Sequence, residues 1–158
     1  MKKSAIIQFK PLIISILIPL AVGGLSGFLT KNSMELFKNL NQPPLAPPPI
    51  LFPIVWTILF ILMGISAYLV WVSDSPYKKP ALLLYGVQLF FNFMWSIIFF
   101  NWEMRLFAFI WLMILWLLII IMIALFYKVD KRAAYLQIPY LLWVTFAAYL
   151  NFAIYILN

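Results

Sequence analysis

Five stretches of this chain carry no charged residue and are long enough to cross a lipid bilayer: 12–29, 50–72, 81–102, 106–127 and 133–157. A helix needs ~20 consecutive apolar residues to span the hydrocarbon. Each stretch is continuously apolar rather than alternating, and lipid offers no partners to a free backbone amide, so the conformation expected is helix. Composition agrees: 66% of residues are hydrophobic and 9% are charged, against ~25% charged in soluble domains. The expected class is an all-α integral membrane protein, a bundle of five transmembrane helices. A cleaved signal peptide over residues 1–24 is the alternative for the first stretch, with Ala21-Val22-Gly23 as its cleavage site. The apolar run continues to Leu29 without a polar segment, which favours a span.

The connections after the first are turn-length. Residues 30–49 hold more: a short amphipathic helix is expected around Ser33–Leu40, then Asn41-Gln42-Pro43-Pro44-Leu45-Ala46-Pro47-Pro48-Pro49, expected to be extended. Lys2, Lys3, Lys10, Lys78, Lys79, Lys128, Lys131 and Arg132 fall on one face of such a bundle; Lys31, Lys38 and Arg105 fall on the other. The positive-inside bias therefore predicts a cytoplasmic N-terminus and a C-terminus outside. These basic residues flank spans singly or in pairs, which is a topology pattern and not a nucleic-acid stripe.

Histidine and cysteine are both absent. That excludes disulfides, histidine or thiolate metal sites and Ser–His or Cys–His nucleophile pairs. No charged residue lies within a span, which counts against proton pumping, ion-coupled transport and intramembrane acid–base catalysis. The chain is instead rich in aromatics: 15 Phe, 8 Tyr and 7 Trp. Several recur with small and polar residues at steps of three or four. Span two carries Trp56, Phe60, Gly64, Ala67 and Trp71. Span three carries Gln88, Asn92, Trp95, Ser96 and Phe99. Span five carries Pro139, Trp143, Phe146, Ala147, Leu150 and Asn151. Each series shares one helical face. Amides are costly in lipid, so Gln88, Asn92 and Asn151 should point inward, and the indole N–H of Trp95 or Trp143 should find a partner there. Such a face serves either helix packing or a cavity for a large, flat, apolar ligand. Gly23 and Gly27 in span one form a small-xxx-small pair, which permits close helix approach within the chain or between protomers.

Three segments together resemble the TspO/translocator-protein family, whose members are also called tryptophan-rich sensory proteins or peripheral-type benzodiazepine receptors. The first is Leu40 to Pro48, followed by Val55-Trp56-Thr57-Ile58-Leu59-Phe60 and Met63-Gly64. The second is Gln88-Leu89 with Asn92, Trp95 and Phe99-Phe100. The third is Pro139-Tyr140-Leu141-Leu142-Trp143 with Phe146-Ala147 and Leu150-Asn151. The resemblance covers nearly the whole chain and implies one five-helix membrane domain over 1–158, commonly a homodimer, with no cofactor. It implies binding of tetrapyrroles such as protoporphyrin IX, and of synthetic benzodiazepine- or isoquinoline-type ligands. Matched residue by residue, the ligand site would use Phe37, Trp56, Phe60, Asn92, Trp95, Trp143 and Ala147. The setting implied is a bacterial cell membrane.

This chain departs from the family pattern in places. Leu45 stands where tryptophan is usual, and Trp111 where an acidic residue is common, which predicts a lost polar contact. The end Tyr155-Ile156-Leu157-Asn158 lacks the basic residue of the sterol motif proposed for animal members. Without histidine no axial imidazole can hold haem iron, so the metal-free porphyrin is the ligand expected. Three functions fit the resemblance: a tetrapyrrole receptor or sensor, a light- or oxygen-dependent porphyrin-degrading enzyme using Trp56 and Trp143, and a facilitator of porphyrin transport.

Overall fold

The computed structural model describes residues 6–158. Lys2 and Lys3, counted above for topology, lie outside the described residues. Among the described residues seven α-helices follow one another: α1 (Phe9–Thr30), α2 (Met34–Lys38), α3 (Leu51–Trp71), α4 (Lys78–Ser96), α5 (Arg105–Val129), α6 (Lys131–Leu136) and α7 (Ile138–Leu157). A 3₁₀ turn, Lys31–Ser33, joins α1 to α2, and a π segment, Ile97–Asn101, extends α4. Among the described residues, five helical stretches are long and apolar enough to span a membrane, and there is no strand. The protein is an integral, multi-pass membrane protein.

Helices α1 and α4 begin about a turn before the uncharged stretches, and α5 ends two residues after its own. Lys10, Lys78, Lys79 and Lys128 sit inside helix ends. A long lysine stem reaches water from such a position, so the absence of charge marks the hydrocarbon core and not the helix limits. The fifth span is not one helix: it breaks at Gln137, and α7 restarts with Pro139 in its first turn, where proline is tolerated. The end of α4 carries a π turn, closed by Trp102 N–H donating to Ile97 O at 3.0 Å.

The first loop differs from the uniformly extended form expected. Ala46 N–H donates to Pro43 O at 3.2 Å, and Leu45 has φ 70°. This is a β-turn that asks for a left-handed residue at its third position. The loop is fastened to the end of α7: Tyr149 Oη donates to Pro44 O at 2.7 Å, and Asn41 N–H to Asn158 Oδ1 at 3.0 Å.

Helix α1 is peripheral and packs chiefly on α3. Its fastening lies in its first half. Gly64 of α3 meets the backbone of Ser15 and Ile16, and Ser15 Oγ donates to Gly64 O at 2.7 Å. Gln8 N–H donates to Tyr68 Oη at 2.8 Å on the same side. Backbone meets backbone at Gly64, and of the pair Gly23 and Gly27 it is Gly23 that lies against α3 within the chain. Gly23 receives the Phe60 ring, and a Cβ on Gly27 would meet nothing within 4 Å.

Candidate functional site

The second half of α1 touches α3 where Gly23 receives the Phe60 ring, and a cavity of about 560 Å³ lies between this half and α3, α4 and α7. Ligand pockets for small molecules occupy ~300–1,000 Å³. Gly23, Gly24 and Gly27 form the α1 wall, while Gln42, Ala46 and Pro49 of the first loop cover one end. Gly24, Gly27, Lys31, Gln42, Pro49, Pro53 and Thr57 are exposed lining residues, so the mouth lies between the end of α1, the first loop and the start of α3.

Six of the seven residues named from the sequence line this space: Phe37, Trp56, Phe60, Asn92, Trp95 and Ala147. Trp56 stacks on Phe60, ring centroids 5.5 Å apart, and Trp95 stacks on Phe99 at 5.4 Å. Phe37, from the expected short helix α2, is buried edge-on to Phe99 and Phe100. Two aromatic surfaces from α3 and α4 therefore face one space, the arrangement that suits a flat apolar molecule.

Trp143 does not line the cavity. It sits in an outer groove between α3 and α7, beside Val55 and Leu62, edge-on to Trp56 at 6.5 Å. The cavity follows the part of α7 nearer its C-terminus, from Ala147 to Ile154. Trp143 is a turn away from it, with the Trp56 ring packed against its own. Its indole N–H is buried without a partner among the described residues.

The polar residues expected to point inward do so. Gln88, Asn92 and Asn151 are all buried. Asn92 Nδ2 donates to Tyr140 Oη at 2.8 Å, and Tyr140 Oη donates to Gln88 Oε1 at 2.6 Å. Trp95 Nε1 donates to Asn151 Oδ1 at 3.0 Å, and Asn151 Nδ2 to Arg105 O at 2.9 Å. These bonds hold the Trp95 plane and the Asn92 amide in place before any ligand arrives. Trp111 keeps a polar contact, against expectation, because its Nε1 donates to Phe91 O at 2.8 Å while the rings stack at 4.2 Å.

Sequence reasoning missed Lys31, Met34, Gln42 and Phe52, which also line the cavity. The first three lie in the connection between spans and Phe52 in the first turn of α3, where no helical periodicity reports them. It also did not read Gly24 and Gly27 of α1 as part of a cavity wall.

The sequence model of the TspO/MBR family matches residues 15–157, which takes in every element of this cavity. The chain belongs to the TspO/MBR family. It is 36% identical over 148 residues to the tryptophan-rich protein TspO of Archaeoglobus fulgidus, covering 93% of this chain and 96% of that protein. It is 39% identical over 137 residues to the TspO of Chlorobaculum tepidum, covering 84% and 85%. A translocator protein of Ovis aries is 29% identical over 135 residues, covering 82% and 80%. Membership of the TspO/MBR family supports a sensor or receptor kind of role in the membrane.

Proposed function

We propose that the chain is a membrane receptor that takes a flat, apolar tetrapyrrole of the protoporphyrin IX kind into the cavity between α1, α3, α4 and α7. The observation that carries this is the cavity itself: about 560 Å³, walled by Trp56, Phe60, Trp95 and Phe99, with the amide of Asn92 among its lining groups. Stacking on the rings supplies affinity, and Asn92 orients a polar edge of the macrocycle. Benzodiazepine- and isoquinoline-type ligands fit the same description. The same proposal places one such domain, as a homodimer, in a bacterial cell membrane, with the N-terminus cytoplasmic and the loop end of the bundle outside. Protoporphyrin IX titrated into purified protein should quench tryptophan fluorescence saturably. Gly27→Leu adds a side chain to a lining position where nothing lies within 4 Å of the Cβ, so it should narrow the cavity without disturbing the bundle. Unaltered quenching in that variant would place the ligand elsewhere.

One observation favours a second function, light- and dioxygen-dependent porphyrin degradation. Trp56 lines the cavity and its ring lies 6.5 Å from that of Trp143 behind it, so two indoles would stand beside a porphyrin whose oxidation dioxygen would drive. Under illumination the porphyrin absorbance should then decay faster with wild type than with Trp56→Phe/Trp143→Phe. Equal decay rates exclude it.

A further inference from the structure

Lys31 is the one charged side chain among those lining the cavity. It stands in the 3₁₀ turn after α1, at the mouth. That turn is tied to the end of α4: Asn101 Nδ2 donates to Leu29 O at 3.0 Å, and Ser33 Oγ donates to Asn101 Oδ1 at 2.6 Å. The other two basic residues of this membrane face have carboxylates. Lys38 Nζ lies 3.9 Å from Glu35, and an Arg105 guanidinium nitrogen lies 3.7 Å from Glu103. Lys31 has no carboxylate partner among the described residues; its ammonium rests 4.2 Å over the exposed Phe28 ring. Deeper in the cavity the polar lining is neutral, with Ser96 and then Asn92 down α4.

Polarity in the cavity therefore runs from an apolar, amide-bearing interior to a single positive charge at the mouth. We propose that Lys31 pairs with an anionic group on the ligand, so that the cavity selects flat apolar molecules bearing a carboxylate at one edge and orients that edge outward. This rests on the cavity being the ligand site. An ammonium beside low-dielectric walls attracts an anion more strongly than one in open water, and exchanging a ring face for a carboxylate strengthens its contact. A lysine stem lies along apolar wall while its head stays at the mouth, which leaves the ammonium free to turn from Phe28 to the ligand. A phospholipid phosphate is the competing source of negative charge at this depth.

The test uses the full chain in maltoside micelles, which contain no phosphate. Protoporphyrin IX and its uncharged dimethyl ester are titrated against wild type, Lys31→Gln and Lys31→Arg. Lys31→Gln should weaken the diacid about tenfold, the size of one hydrogen bond to a charged group. The ester should move by no more than about twofold, as for a surface substitution with no lost partner. Lys31→Arg should retain diacid affinity. Equal effects of Lys31→Gln on both ligands, or none on either, overturn the proposal while leaving the cavity as the site. A Lys31→Gln effect seen only in nanodiscs containing anionic phospholipid assigns the lysine to lipid and overturns it too. If neither porphyrin binds wild type, the tetrapyrrole site falls with it.

Discussion

Gly64 and Gly27 sit in the two halves of one bundle and do opposite things. In the half that holds the start of α1, Gly64 lets two backbones touch, and a Cβ there would lie 2.7 Å from Ser15 O. Around it Met63, Ser66, Val70, Met122, Phe126 and Ala133 are fully buried, and Ser66 Oγ donates to Ala133 O at 2.7 Å. In the half that holds the end of α1, Gly24 and Gly27 have nothing within 4 Å of a Cβ position, and the space they leave is the cavity. In lipid no hydrophobic force drives helices together, so association rests on packing and internal hydrogen bonds. One half closes by backbone contact, whereas the other is held by Gly23 against Phe60 and by the bonds of Asn151 to Trp95 and Arg105, with the cavity left between them.

The sharpest way to break this comparison is Gly64→Val. The atoms in the way are backbone atoms of Ser15 and Ile16, which have no rotamer to escape into. Overpacking should cost about 3 kcal/mol or more. Thermal unfolding in detergent should show a large fall in Tm, whereas Gly27→Val should leave Tm close to wild type. Similar losses from both would mean that the two halves are packed alike.

Tyr140 lies between the halves, and Tyr140→Phe is the next largest effect. Its hydroxyl is both acceptor for Asn92 and donor to Gln88, whose Nε2 has no partner among the described residues. Removing it leaves Asn92 Nδ2 and Gln88 Oε1 unpaired in a buried setting, at about 2 kcal/mol. Ligand affinity should fall as well, because Asn92 loses the bond that aims it. A stability loss with unchanged porphyrin affinity would detach this network from the site.

These residues also show how far the sequence can be read. The missing charges located the spans, because lipid penalises ions over a whole 20-residue window. Steps of three and four located the inward faces of α3, α4 and α7, because each helix buries one stripe. That Trp95 would find a partner followed from the cost of an unpaired indole; that Asn151 would be the partner required the tertiary fit. Trp143 shares the periodic face yet misses the cavity, because periodicity fixes direction around a helix and not depth along it. Pro139 is the local cue to the break at Gln137, whereas the π turn at the end of α4 and the left-handed Leu45 are set by neighbouring elements.

Leu45 gives a smaller effect, of opposite sign, in the open half. At φ 70° a branched side chain is strained, and Leu45 is 81% exposed, so it recovers little by packing. Leu45→Gly should stabilise the turn by about 1 kcal/mol. The loop would then hold its cover over the cavity more firmly, so ligand dissociation measured by stopped-flow should slow. Replacing Pro47-Pro48 with Gly-Gly should speed it, by loosening the unbound chain. Unchanged dissociation in both variants would make the loop a spacer.

The smallest effect belongs to the surface of the crowded half, where Asp130 caps α6. Its Oδ1 accepts the Arg132 backbone N–H at 2.9 Å, and its carboxylate pairs with the Arg132 guanidinium at 2.8 Å. The side-chain hydrogen bond from Arg132 holds this carboxyl below its ordinary value of 3.8. A carboxyl depressed by folding contributes stability that is present above the unfolded value and is lost as pH falls through the folded one. Wild type should therefore lose a little stability from about pH 4 downward. Asp130→Asn keeps an oxygen for the cap and removes the charge. It should cost about 0.5 kcal/mol at neutral pH and flatten that part of the acid profile. Porphyrin affinity should not change, since the cap lies at the membrane face opposite the cavity mouth. A change in affinity would show that the two halves are coupled through α6 and α7 rather than divided in labour.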